Sequence, residues 1–394
     1  MNILYFCQLY PPALHGGGEY IFFQWARELS KRGHKIVTIT QMIKGMNDHE
    51  EIDGIEIYRV GPAIEYKGVL PPEIFENIGY VINAVAKGVT ILARNDIDVI
   101  HSNTYAPALA GQICSNLFRK PHVITFHDIC SLKRKDFWVK WASQKGIAAS
   151  VAVIGPLIEK IVLKLSATLL HTVSETSKRD LLAYKIKKDI IVIPNGVSLE
   201  DYDTIGSSDT SDNIQAIYVG RLVFYKNIET IIRALKKVIL KIPNAKLIIV
   251  GDGPQKTLLK NEEEKLSLTK NIVFTGRVPH KEKVELLKKS SFLVLPSLVE
   301  GFGITIIEAY ACQKPVLVSE VMPLPEIVEN KKDGFTIPPF DYNMWAEKMV
   351  YLLDNPHTAQ EMGMHGRIKV EQQYTVKRVV DQLEKVYFKL TRCK

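Results

Sequence analysis

The sequence predicts an α/β protein of two doubly wound parallel-sheet domains facing a cleft, and three observations carry that prediction. The chain has 394 residues, too many for one ordinary core and suited to two domains of typical size. In its first half, short β-rich runs alternate with helix-length segments, the pattern of parallel βαβ units. The second half repeats the plan. Composition agrees: 46% of residues are hydrophobic and 24% are charged, with no low-complexity tract, so a sizeable core can be buried.

Taken in order, "NILYFCQ" (Asn2 to Gln8) reads as the first strand. It has neither the basic leader nor the small-residue cleavage site of a signal peptide, so a cytoplasmic protein is expected. "KIVTIT", "VIHSN", "HVITFHD" and "TLLHTVS" read as the following strands. The longest apolar run, "GIAASVAVIGPLI" (Gly146 to Ile158), is too short to span a membrane and reads as a buried or interfacial helix. "PNGVSLEDYDTIGSSDTSDN" is poor in long apolar side chains and rich in Ser, Asp and Gly. It predicts a linker over 194–213, between a first domain at 1–193 and a second at 214–375. The second set of strands is "QAIYVGRL", "AKLIIVGDG", "NIVFTGRV", "FLVLPS" and "KPVLVSE". Finally, "VKRVVDQLEKVYFKL" aligns Val379, Val380, Leu383, Val386, Tyr387 and Leu390 on one face, predicting a terminal helix within 376–394 that needs a partner surface. The five cysteines are odd in number and scattered, so neither a disulfide framework nor a zinc site is expected.

Open α/β sheets bind ligands beyond the carboxyl ends of their strands, so the informative residues should follow strands. Gly16, Gly17 and Gly18 follow the first strand. Gly220 and Arg221 follow "AIYV", Gly251 to Gly253 follow "LIIV", and Gly276 and Arg277 follow "VFT". In "PSLVEGFGITIIEAYACQKPV", Gly301, Phe302 and Gly303 lie where a strand turns into a helix beginning near Ile304. Glycines there let backbone approach a ligand, and the free N–H groups of a helix start favour a diphosphate. Glu300 sits in the loop and Glu308 in the second helical turn. Each carboxylate is able to accept hydrogen bonds from paired sugar hydroxyls, with the phosphate between them. A plain structural turn is the competing reading.

The combination of "EGFGITIIEA" with "GRLVFYKN", "GDGP" and "PNGV" resembles the retaining nucleotide-sugar glycosyltransferases of family 4, over nearly the whole chain. The resemblance implies the GT-B fold: two Rossmann-like domains, the first for the acceptor, the second for the nucleotide-sugar, and a terminal helix that returns to the first. It implies that Glu308 meets the ribose and Glu300 the donor hexose, while Arg221 and Lys226 meet the diphosphate. Asp252, Arg277 and Val278 match positions lining the base pocket, and Gly16 to Gly18 match the loop near the donor phosphates and acceptor. In "TFHD", His127 matches the residue that contacts the donor sugar. No D-x-D triad stands in a metal-binding context, so no metal is expected, nor any cofactor beyond the nucleotide-diphosphate sugar as co-substrate. One departure is Met322-Pro323, where many members have two glycines; it stiffens a loop near the donor site.

The formal net charge is +8, and residues 119–164 hold nine Lys and Arg against three Asp and Glu. Within them, "LKRKDFWVKWASQKG" interleaves Lys133, Arg134, Lys135, Lys140 and Lys145 with Phe137, Trp138 and Trp141. Tryptophan with lysine suits a bilayer interface, which predicts peripheral contact with the cytoplasmic leaflet and a lipid-linked or glycan acceptor. In the competing reading the tryptophans pack on the domain and the charges are solvated. No nucleic-acid module accompanies the patch, so no nucleic-acid partner is expected. The expected activity is retaining hexosyl transfer from a nucleotide-diphosphate sugar, in glycolipid or polysaccharide synthesis. The rivals are a nucleotide-sugar epimerase of the same fold and a non-catalytic scaffold subunit.

Overall fold

The computed structural model describes residues 1–394 except 14, 15, 67, 69–72, 131–135, 145, 187, 207–213, 393 and 394. These residues form two compact units: Met1–Asn195 with Val376–Lys394, and Gly196–Thr375.

The first unit holds eight strands: β1 (Asn2–Phe6), β2 (Lys35–Ile43), β3 (His49–Ile52), β4 (Ile55–Ile64), β5 (Val99–Asn103), β6 (His122–Phe126), β7 (Leu169–Thr172) and β8 (Ile190–Val192). Their order in the sheet is β3-β4-β2-β1-β5-β6-β7-β8. All pairings are parallel except that of β3 with β4. That hairpin departs from the expected all-parallel plan, and its cause is local. Asp53 (φ 52°) and Gly54 (φ 73°) form a two-residue turn of left-handed backbone, the conformation that an Asp-Gly pair favours. Strands β1, β5 and β6 are almost wholly buried, as central strands covered on both faces are, and the polar groups of β5 and β6 find partners within the core. The helix Gly17–Lys31 buries Ile21, Phe22, Trp25, Ala26 and Leu29, one stripe at helical spacing.

The terminal helix Val376–Arg392 belongs to this first unit, where it buries Val376, Val379, Val380, Leu383 and Tyr387. Each such apolar side chain contributes about 1.5–3 kcal/mol when fully buried. Polar contacts fix the register: Arg32 reaches Asp381 at 2.7 Å and Glu384 at 2.5 Å, and His34 pairs with Glu384 at 2.6 Å. Val386 and Leu390 are only half-buried.

Inside the same unit runs a chain of buried polar groups. Tyr5 and Tyr387 hydroxyls lie 3.1 Å apart, Tyr387 Oη is 2.5 Å from His101 Nδ1, and His101 Nε2 is 2.7 Å from Thr125 Oγ1. Thr125 Oγ1 is 2.8 Å from His171 Nδ1, and His171 Nε2 is 2.9 Å from the carbonyl oxygen of Ile193. A carbonyl only accepts, so His171 Nε2 carries a proton. With one proton per ring, every other bond then has a fixed direction: Tyr5 donates to Tyr387, Tyr387 to His101, His101 to Thr125 and Thr125 to His171. Burial favours that neutral state, holding His101 well below the usual histidine value and His171 down to about 4.

The second unit is a six-stranded, wholly parallel sheet of β9 (Gln215–Val219), β10 (Lys246–Val250), β11 (Ile272–Gly276), β12 (Phe292–Leu295), β13 (Val316–Ser319) and β14 (Gly334–Ile337), ordered β11-β10-β9-β12-β13-β14. The chain runs outward from β9 to β11, then returns to the other side of β9 with β12. The point between β9 and β12 is therefore the switch point, where open sheets of this kind leave a crevice. The segment expected as a linker is in part packed here. Residues 196–206 belong to the second unit, with a short helix Glu200–Asp203 whose Tyr202 is buried, while 207–213 lie outside the described residues. Tyr202 is a large apolar anchor inside an otherwise polar stretch, so composition alone disguised it.

Candidate active site

In the second unit, the switch point collects the residues that the motifs singled out. The loop after β9 carries Gly220, Arg221 and, on a single turn Phe224–Lys226, Lys226. The loop after β12 carries Glu300 and the start of helix Ile304–Ala311. Lys226 Nζ donates to Glu300 Oε1, closing an ion pair across the switch point, and Ser297 Oγ donates to the same oxygen at 2.8 Å. Arg221 donates to the Tyr225 hydroxyl at 2.5 Å, and its own carbonyl accepts from Tyr218 Oη at 2.9 Å. Arg221 and Lys226 both lie over the Tyr225 ring, 5.9 and 5.6 Å from its centroid. Two cations are thus held on one tyrosine, and one of them pairs with Glu300.

The turn "EGFG" does two jobs with different atoms. Gly303 caps the helix at φ +100°, a left-handed conformation, and a Cβ there would stand 2.9 Å from both Ile306 Cδ1 and Leu324 Cδ2. The helix start is therefore left bare of side chain at this position. Phe302, expected among the ligand-binding residues, turns its ring inward instead: it is buried, edge-on to Tyr374 with centroids 5.8 Å apart. Only its backbone remains to meet a ligand. Gly301 is buried beside it and Ile304 half-buried.

Glu308 is 2% exposed. A buried carboxylate requires a partner, and two donors supply it: Lys283 Nζ at 2.6 Å and Tyr202 Oη at 3.2 Å, both on Oε1. Neither was singled out from the sequence. Lys283 is one of four lysines in the helix His280–Lys289, and no spacing distinguishes it from its solvated neighbours. That helix starts just beyond Arg277 and Val278, which follow β11, exposed and half-buried respectively. The ends of β10 and β11 are laced together by Gly251 N donating to the Gly276 carbonyl at 2.8 Å. Asp252 binds its own loop there, accepting from Gly253 N at 2.8 Å. Gly220 N likewise donates to the Val250 carbonyl at 3.0 Å. Loop ends from three adjacent strands are joined in this way.

In the first unit, Gly16 precedes the helix Gly17–Lys31, and its N–H donates to Glu19 Oε2 at 3.0 Å. Gly18 lies against His127: a Cβ on Gly18 would meet His127 Nε2 at 2.8 Å. His127 Nε2 is buried and has no hydrogen-bond partner among the described residues, and burial pushes the imidazole down to about 4, so it is neutral at physiological pH. Unpaired buried polar atoms are scarce in folded proteins, so each calls for an explanation.

The aromatic side chains of the basic stretch do not face outward as expected. Trp141 is buried, with its ring parallel to that of the buried Phe137 at 6.2 Å. Trp138 packs over Gly155, where an added Cβ would meet its ring at 2.2 Å. Indole area is large enough to be worth burying, and a glycine on the helix Val151–Leu163 opens the space for it. Lys140 pairs with Asp136 at 2.8 Å, while Lys133, Arg134, Lys135 and Lys145 lie outside the described residues. An exposed apolar stripe lies instead on that helix, at Val153 (75%), Leu157 (56%) and Ile161 (46%). No described helix is long and apolar enough to cross a membrane.

Comparison with known proteins places these loops in context. Residues 15–201 match the model of "Glycosyltransferase Family 4" and residues 205–369 that of "Glycosyl transferases group 1". An uncharacterised glycosyltransferase of Methanocaldococcus jannaschii is 30% identical over 83% of this chain and 87% of its own. The phosphatidylinositol N-acetylglucosaminyltransferase GPI3 subunit of Saccharomyces cerevisiae is 26% identical over 84% of this chain and 70% of its own. Among solved structures, sucrose-phosphate synthase of Thermosynechococcus elongatus superposes with a TM-score of 0.85 at 22% identity, over the full length of both chains. At that identity the likeness is one of fold, the two-domain GT-B architecture.

Proposed function

We propose that this chain, which belongs to the group 1 glycosyltransferases, is a retaining enzyme that moves a hexose from a nucleotide-diphosphate sugar to an acceptor hydroxyl without a metal. The observation that carries the reading is the cluster at the switch point of the second unit: Arg221 and Lys226 on the Tyr225 ring, Lys226 paired with Glu300, and a bare helix start at Gly303. Two fixed cations and free N–H groups suit a diphosphate, and they stabilise the charge that grows on it as it leaves. The acceptor oxygen forms its bond to the anomeric carbon on the face from which the diphosphate departs. The carbon–oxygen bond to the diphosphate breaks, and the acceptor proton passes to the departing phosphate oxygen. No side chain serves as nucleophile. Glu300 faces the hexose and Glu308 the ribose, while Asp252, Arg277 and Val278 line the base. The first unit supplies acceptor binding; its Gly16, Gly17 and Gly18 approach the donor phosphates and the acceptor, and His127, whose Nε2 has no hydrogen-bond partner among the described residues, contacts the donor sugar.

Thermal-shift measurements with UDP, GDP, ADP and their hexose conjugates test the donor. Selective stabilisation by one nucleotide, lost in Glu308→Ala, is expected. A folded protein that none of them stabilises would favour the non-catalytic rival.

A lipid-borne acceptor is the reading of the exposed stripe Val153, Leu157 and Ile161. Lys160 and Lys164 stand exposed beside it, and the one acidic residue of the helix, Glu159, is buried and accepts from Cys130 N at 3.0 Å. An apolar strip flanked by cations fits the surface of an anionic bilayer. Vesicles containing phosphatidylglycerol should co-sediment the protein, and Leu157→Glu should release it. Equal sedimentation of both proteins would exclude this face.

A further inference from the structure

Both glutamates at the switch point are held in one way. Each receives one ammonium and one hydroxyl on a single oxygen: Lys226 and Ser297 on Glu300 Oε1, Lys283 and Tyr202 on Glu308 Oε1. Among the described residues, the second oxygen of each accepts no hydrogen bond. Such a clasp has a geometric consequence. Two donors on one oxygen fix the plane of the carboxylate and turn the other oxygen in a single direction, ready to accept from a ligand hydroxyl. It also answers the desolvation problem, because a carboxylate as buried as Glu308 needs a partner, and Lys283 provides one without occupying both oxygens.

We infer that Lys283 and Tyr202 are positioning residues of the donor site, which hold Glu308 so that its Oε2 reads the 2′-hydroxyl side of the nucleotide ribose. The inference rests on the donor reading given above and adds two residues to it. Lys283 comes from the helix after β11 and Tyr202 from the first turn of the unit, so two separate chain segments converge on one carboxylate oxygen. Tyr202 is itself wedged edge-on against His280, with centroids 5.5 Å apart, which ties the two segments together. A lysine needed only to neutralise Glu308 has no reason to share one oxygen with a tyrosine. Freezing the orientation of that carboxylate does.

The test compares the binding of the best-bound nucleotide among UDP, GDP and ADP with that of its 2′-deoxy form, by calorimetry on the full chain. Wild type is expected to prefer the ribonucleotide by about tenfold or more, the worth of a hydrogen bond to a charged group. Lys283→Met should bring that ratio close to one, Lys283→Arg should keep most of it, and Tyr202→Phe, which removes a single hydroxyl, should lower it part-way. Should Lys283→Met prove unstable, Tyr202→Phe and Lys283→Arg still decide the matter. A Lys283→Met that weakens both nucleotides equally would mean that Lys283 meets the phosphates directly or serves the fold, and would overturn the inference. A wild type that binds ribo and deoxy forms alike would overturn it too. Failure of all three nucleotides to bind would instead refute the donor reading beneath it.

Discussion

Acid should destabilise the first unit through its buried histidines. The buried chain from Tyr5 to the Ile193 carbonyl works only with neutral rings at His101 and His171, because a second ring proton would point a donor at a hydroxyl that is already donating. His122 is buried alongside, between Ser102 Oγ at 2.8 Å and Gln112 Oε1 at 3.1 Å. Burial lowers His122 to about 3 and His171 to about 4, against 6.5 for an unperturbed histidine. The unfolded chain therefore binds more protons than the folded one as pH falls below about 6.5, and stability must fall with it. Nothing is lost above that value, and the loss grows until the folded values are reached. At pH 5 each of the two histidines costs about 2 kcal/mol, so together they remove about 4 kcal/mol of a typical 5–15. Urea unfolding followed by tryptophan fluorescence at pH 7 and pH 5 measures this, since Trp25 lies parallel to His101 at 6.0 Å and reports on the region. The double variant His122→Gln, His171→Gln should be weaker at pH 7 but lose about 4 kcal/mol less on acidification. An unfolding free energy unchanged between the two pH values, or an equal drop in wild type and variant, would refute the argument.

Two glycines give further tests. Gly18→Ala places a Cβ 2.8 Å from His127 Nε2, so the imidazole must shift; sugar transfer should fall about tenfold or more while nucleotide affinity stays at the wild-type value. Unimpaired transfer would remove His127 from the site. Gly303→Ala forces a side chain into φ +100° and against Leu324, which should cost about 1–3 kcal/mol in urea unfolding and weaken diphosphate binding; a variant as stable as wild type would show that the turn relaxes freely.

Much of this was legible in the sequence because parallel strands buried on both faces must be apolar runs, and such runs stand out. "LIIV" and "FLVLP" end in the turn residues where β10 and β12 end. The candidate site loops were legible for the same reason, since Arg221 and Lys226 follow β9 and Glu300 follows β12. What escaped depended on tertiary partners. The antiparallel β3 hid in a polar "HEEI" whose Asp-Gly turn was the only sign of a hairpin. Lys283 looked like any surface lysine, Tyr202 sat in a segment with linker composition, and Trp138 and Trp141 showed an interfacial pattern that Gly155, a residue too small to attract notice, converts into packing.

The central claim, retaining transfer driven by the Arg221 and Lys226 pair, is tested most directly by incubating the full chain with the nucleotide-hexose it binds best and following release of the nucleoside diphosphate, with the anomeric configuration of the transferred sugar read by NMR. The account predicts release with retained configuration, and a rate lowered about 100-fold or more by Arg221→Ala, as for removal of a group that stabilises charge in the transition state. An inverted product, or release that Arg221→Ala leaves untouched, would contradict it.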